Sequence, residues 1–132
     1  MKKILIVEDE RILAVSLKMD LEDAGFLDIT MVTNCDDACL AVEEKHPELI
    51  LMDISIQGEK TGIDTAILIS GFSRVPIIYL TGETDVETRR KAEDTPNCKG
   101  YLTKPVKMEI LQPLLHEVLG AHALPVQNAG SC

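Results

Sequence analysis

The chain has 132 residues, 45% hydrophobic and 27% charged, which is enough for one globular domain with a two- or three-layer core and too little for a second. Its 22 acidic and 13 basic residues give a formal net charge of −9, which repels phosphate backbones and argues against direct nucleic-acid binding. The apolar run after Lys2 and Lys3 stops at Val7, and no stretch approaches the ~20 residues of a membrane span, so a cytoplasmic protein without a signal peptide or membrane contact is expected.

Lys3 to Val7 reads as a first core strand, ending in the acids Glu8, Asp9 and Glu10. From Arg11 to Ala24 the residues Leu13, Leu17, Leu21 and Ala24 recur at helical spacing, and Gly25 suits the left-handed position after a helix. Ile29 to Thr33 alternates apolar and polar side chains, as a partly exposed edge strand does, and Asn34 can cap a second helix carrying Ala38, Ala41 and Val42. Leu49 to Met52 is uniformly apolar, which suits a strand buried on both faces, and it runs straight into Asp53.

A loop with Gly58 and Gly62 leads to a third helix bearing Ile63, Ala66 and Ile67 and ending near Gly71. Val75 to Leu80 is a fourth strand, with Pro76 near its start and Thr81-Gly82 at its end. Asp85 to Glu93 offers little apolar surface and predicts a polar, loosely packed helix, a property that suits a switching element. Lys99 to Thr103 is a fifth short strand closed by Lys104-Pro105, and a last helix carries Leu111, Leu114, Leu115 and Val118 before Gly120. The alternation predicts an α/β protein of (βα)5 form: a parallel five-stranded sheet between two layers of helices with right-handed crossovers. Residues 121–132 read as a flexible tail with no output domain.

Cys35, Cys39, Cys98 and Cys132 form no C-x-x-C pair and read as free thiols, in preference to a metal site of Cys35, Cys39 and His46. His46, His116 and His122 are expected on the surface. Gly58 to Thr61 looks like a fragment of a P-loop, but lacks the glycine directly before the lysine.

In parallel α/β sheets the working crevice lies beyond the carboxyl ends of the strands. Glu8 and Asp9, Asp53, Thr81 and Lys104 follow four of the strands and are predicted to meet there. Two carboxylates ~4 Å apart repel by roughly 4 kcal/mol at an effective dielectric near 20, so converging acids require protonation or a cation. Mg²⁺ suits them, because it takes oxygen ligands and leaves positions for the oxygens of a phosphoryl group. Lys104 then offers a fixed positive charge and Thr81 a hydroxyl donor.

Together, Ile-Leu-Ile-Val-Glu-Asp-Glu, Leu-Ile-Leu-Met-Asp-Ile, Pro-Ile-Ile-Tyr-Leu-Thr-Gly and Gly-Tyr-Leu-Thr-Lys-Pro, in this order and spacing, resemble the receiver domain of two-component response regulators. The resemblance covers roughly residues 2–120 and divides the chain into a receiver domain, 1–120, and the tail. It implies a flavodoxin-like three-layer sandwich of strand order 2-1-3-4-5. It implies that Asp53 accepts a phosphoryl group from a sensor histidine kinase, and that Asp9, Asp53 and the main-chain carbonyl of Ser55 ligate Mg²⁺, with Glu8 acting through bound water. Lys104 would neutralise the phosphoryl charge, Thr81 would move to hydrogen-bond it, and Tyr101 would turn inward with that movement. The face made by the fourth helix, fifth strand and fifth helix would then bind a downstream target, an effector domain or a second copy as a homodimer. Lys104-Pro105 matches the family's cis peptide.

The sequence departs from the commonest family pattern in carrying Glu8 as its first acid, Gln57 where proline is common, and Gly62 one residue late. Gly82, Ser55 and Glu83 stand at positions that vary in the family. A degenerate receiver acting by constitutive binding is the principal alternative. A flavodoxin-like electron carrier is disfavoured by 3% aromatic content and by acids where a hydroxyl-rich phosphate loop belongs. An aspartate-nucleophile phosphatase is disfavoured because Ser55 stands where that class carries its general acid; a self-phosphorylating switch, not a turnover enzyme, is expected.

Overall fold

The computed structural model describes residues 2–56, 58–82 and 85–120. Gln57, Glu83, His122, Cys132 and the rest of the expected tail lie outside the described residues. Five strands, β1 (Lys3–Val7), β2 (Asp28–Val32), β3 (Leu49–Met52), β4 (Ile77–Thr81) and β5 (Cys98–Thr103), alternate with α1 (Arg11–Asp23), α2 (Cys35–Lys45), α3 (Gly62–Ser70), α4 (Val86–Glu93) and α5 (Met108–Leu119). All strand pairs are parallel, in the order β2-β1-β3-β4-β5, as the resemblance implies.

The pleat divides the core into two layers. Leu5, Val7, Ile50, Met52, Ile77 and Tyr79 face α2, α3 and α4, where they meet Ala38, Val42, Ala66, Ile69 and Ala92. Ile4, Ile6, Leu49, Leu51, Ile78 and Leu80 face α1 and α5, against Ala14, Leu21, Leu111 and Leu115. Uniformly apolar strands are therefore what this sheet requires. Strand β2, at the sheet edge, is only partly buried along its whole length.

Local chemistry sets the helix ends. Asn34 accepts a hydrogen bond from the Asp37 amide and caps α2. Thr61 and Asp64 form a reciprocal capping box on α3, which accounts for the threonine of the P-loop-like segment. Gly25 adopts φ 100°, as expected after α1. Gly71 does not: its φ is −71°, and α3 stops in a right-handed turn. His46 takes the left-handed position after α2 with φ 50°, a role the sequence reading did not assign. Pro113 lies inside α5, yet Leu111, Leu115 and Leu119 still bury one face of that helix.

Several expectations are corrected by tertiary packing. Strand β4 begins at Ile77 and includes Thr81, where Val75 to Leu80 was expected. Pairing with the fifth strand starts only where the Ile77 amide donates to the Asn97 carbonyl, and Pro76 has no amide to donate. Ile67 points to solvent, because α3 turns Ala66 and Ile69 to the sheet. Leu13 is largely exposed, and Ala14 takes the core position beside it. Helix α4 is as polar as predicted: Ala92 is its one buried residue, and exposed ion pairs Arg89–Glu93 and Arg90–Glu87 line its surface.

Candidate functional site

Strands β1 and β3 pair in register through Val7 and Met52, so the acids that follow each strand emerge side by side. The Asp53 amide continues the ladder by donating to the Val7 carbonyl at 2.9 Å, and the Glu8 amide does the same to Val32 at 3.0 Å. One carboxylate oxygen each from Glu8, Asp9 and Asp53 lies within 4.8 Å of the others, the predicted convergence. Glu8 and Asp53 are buried. The Ser55 amide donates to Asp53 Oδ1 at 3.3 Å and fixes the carboxylate's orientation.

Lys104 enters from the other side of the crevice. The Lys104 amide donates to the Thr81 carbonyl at 2.8 Å, which ties the residue after β5 to the end of β4. Its ammonium donates to Glu8 Oε1 at 2.6 Å and stands 3.3 Å from Asp53 Oδ2. The Lys104-Pro105 peptide is cis, as the resemblance implies. Burial pulls the Lys104 pKa down, but the Glu8 hydrogen bond and the charges of Asp53 and Glu8 outweigh it, and the net direction is upward. Lys104 therefore stays cationic. The Glu8 carboxyl is raised above its ordinary value, first by burial and also by the Asp53 charge, against the opposing Lys104 hydrogen bond.

This donor set fits a hard divalent cation: three carboxylates of which two are buried, all oxygen, with one counter-charge already present in Lys104. Among the described residues no such grouping of three potential ligands includes Cys35, Cys39 or His46. Cys35, Cys39 and Cys98 are free thiols, and burial together with the neighbouring Cys35 pushes Cys39 up to about 11.

Thr81 is fully buried at the end of β4. Tyr101 is half-buried on β5, its ring 6.4 Å from that of Tyr79 and covered by the Arg89 guanidinium at 5.1 Å. This couples β5 to the polar helix α4 through one cation–π contact.

The sequence reading missed two features. Gly62 packs directly on the Asp53 backbone: its amide donates to the Ile54 carbonyl at 2.7 Å, and a Cβ there would collide with the Asp53 carbonyl oxygen. The signal was the glycine itself, noted only as displaced by one residue. Tyr79 and Thr95 share a buried hydroxyl–hydroxyl hydrogen bond of 2.8 Å, linking β4 to the end of α4; an aromatic residue in a core strand gives no warning of it.

A family model of the response regulator receiver domain matches residues 4–116. The DNA-binding response regulator MtrA of Mycolicibacterium paratuberculosis is 37% identical over 107 residues, covering 80% of this chain and 46% of that protein. The transcriptional regulatory protein KdpE of Mycobacterium tuberculosis is 28% identical over 109 residues, covering 83% of this chain and 47% of its own length. The chain thus spans less than half the length of these curated relatives. Among solved structures, the signal receiver domain of a modulated diguanylate cyclase from Desulfovibrio desulfuricans superposes with a TM-score of 0.82 at 32% identity, over 90% of this chain and 94% of that one. A two-component response regulator from Clostridium difficile gives 0.83 at 27% identity, over 90% and 96%. Sequence match, strand order and strand-end acids agree: the chain belongs to the response regulator receiver domain family of two-component signal transduction.

Proposed function

We propose that Asp53 is the phosphoacceptor of this receiver and that a sensor histidine kinase supplies the phosphoryl group from a phosphohistidine. The observation that carries this reading is the Lys104 ammonium set between Asp53 and Glu8 at the strand ends. An Asp53 oxygen attacks phosphorus while the phosphorus–nitrogen bond to the kinase histidine breaks and its electron pair stays on the imidazole, and Lys104 neutralises charge on the phosphoryl oxygens. Asp9 and Asp53, with the main-chain carbonyl of Ser55, would hold Mg²⁺, with Glu8 acting through water, and the ion would neutralise further charge. Thr81 hydrogen-bonds the attached group, and Tyr101 follows it inward.

The response reaches the face of α4, β5 and α5, which engages a downstream protein, an effector domain or a second copy. A shift from 1% to 99% active needs a differential of ~5.5 kcal/mol, within reach of several charge-assisted hydrogen bonds. The domain promotes its own phosphorylation and hydrolysis without turning over a separate substrate. It works in the cytoplasm, and its net charge of −9 keeps this domain itself off nucleic acid. No helix among the described residues is long and apolar enough to cross a membrane.

Intact mass after incubation with Mg²⁺ and acetyl phosphate tests the reading. A phosphate adduct that requires Mg²⁺ and vanishes in Asp53→Ala is expected. No adduct in the wild type, with no beryllofluoride binding either, would replace this reading with a receiver that acts by constitutive binding.

A further inference from the structure

A groove of about 370 Å³ runs between α1 and the segment that follows β5. Leu13 and Leu17 of α1, Leu80 of β4 and Val106 give it an apolar lining. Glu8 and Lys104 also line it, and Lys104 Nζ lies 3.3 Å from Asp53 Oδ2, so the groove ends at the ion pair that contacts Asp53. Leu13 is 41% exposed and lines this cleft, while Ala14 beside it is buried in the core. An apolar cavity of ~150 Å³ already holds a benzene ring, so a short alkyl or aryl group fits here.

We propose that this groove receives the acyl group of acyl phosphates, so that the protein prefers donors with an apolar acyl chain over acetyl phosphate. The inference rests on Asp53 as the phosphoacceptor. In the transfer an Asp53 oxygen forms a bond to phosphorus while the bond from phosphorus to the acyl oxygen breaks. The electron pair leaves on that oxygen, and the product is a carboxylate that needs no proton. Nucleophile and leaving group stand in line on opposite sides of phosphorus, so the acyl chain extends away from Asp53. The phosphoryl end meets Lys104, and the chain lies along Leu13, Leu17 and Val106. Asp20 lines the same groove and, with Glu8, repels a second carboxylate on the chain. The preferred acyl group is therefore uncharged: butyryl or benzoyl, not succinyl.

The test compares second-order phosphorylation rates with acetyl, butyryl, benzoyl and succinyl phosphate in Mg²⁺, read by intact mass. Each methylene buried adds up to about fourfold, so butyryl phosphate should react roughly 3- to 10-fold faster than acetyl phosphate. Succinyl phosphate should react more slowly than butyryl phosphate. Leu13→Ser and Val106→Thr should bring the butyryl-to-acetyl and benzoyl-to-acetyl ratios down by about threefold or more. Comparing ratios between proteins cancels the donors' intrinsic reactivities. Adducts from every donor, with ratios identical in wild type and in variants of unchanged circular dichroism, overturn the groove and leave Asp53 in place. No adduct from any donor, with no beryllofluoride binding either, overturns both.

Discussion

Two glycines near Asp53 carry opposite constraints. Gly62 lies against the backbone of Asp53 and Ile54, where an added Cβ would sit 2.8 Å from Ile54 Cα, whereas a Cβ on Gly82 meets open space. Gly62→Ala should therefore lower stability by about 3 kcal/mol through overpacking against main chain that cannot move aside. Gly82→Ala should stay within about 0.5 kcal/mol of wild type. Equal urea midpoints for the two variants would refute the close approach. The buried Tyr79 hydroxyl gives a pH signature: burial, partly opposed by the Thr95 hydrogen bond, pushes its pKa up from 10.0 to about 12. The native state thus holds the neutral phenol more tightly than the unfolded chain does. That contribution is complete below pH 10 and is lost as pH rises through 12, a change of up to about 3 kcal/mol. In Tyr79→Phe the Thr95 hydroxyl keeps its bond to the Ala92 carbonyl, so the neutral-pH loss should be only about 1 kcal/mol. Urea unfolding at successive pH values should show the variant overtaking wild type between pH 10 and 12; a constant gap would refute the buried, un-ionised phenol.

At the scale of elements the contrast lies between α2 and α4. Helix α2 buries Cys35, Ala38, Ala41 and Val42, whereas α4 buries only Ala92. Exposed ion pairs on α4 contribute at most about 0.5 kcal/mol each and cannot replace that burial. Native-state hydrogen exchange should therefore find the amides of α4 opening well before those of α2, at free energies several kcal/mol lower. Equal protection in both helices would show that the Arg89–Tyr101 and Tyr79–Thr95 contacts hold α4 more firmly than burial predicts. A helix loosely held, yet attached to β4 and β5 by those contacts, can change position at little cost when the site at the strand ends changes charge.

At one end of the sheet three carboxylates meet, and Lys104 offsets part of their charge. Because the three carboxylates of Glu8, Asp9 and Asp53 come together only in the native fold, a cation bound there stabilises the folded state selectively. At a hundredfold excess of Mg²⁺ over its dissociation constant the gain is about 2.7 kcal/mol. Thermal melts should show this gain in wild type and a much smaller one in Asp9→Asn. An identical Mg²⁺ shift in both would place the cation elsewhere.

Much of this arrangement was legible from the chain itself. Alternating βα signals and three apolar strand cores fix a parallel sheet, and parallel connectivity obliges the residues following the strands to share one end; Asp9, Asp53, Thr81 and Lys104 could be picked out on that ground alone. Helix caps such as Asn34 were equally readable, because they depend on neighbours three residues away. Other features depend on partners distant in sequence. Glu8 and Lys104 are 96 residues apart, and nothing local shows that the longer acid reaches the ammonium at 2.6 Å. The start of β4 waits on Asn97, the environment of Tyr79 on Thr95, and the role of Gly62 on how closely α3 approaches the backbone of Asp53. Periodicity and connectivity are local, and they already say which groups arrive at the strand ends. Which of them touch and which are withdrawn from water depends on packing between distant segments, which sets those distances.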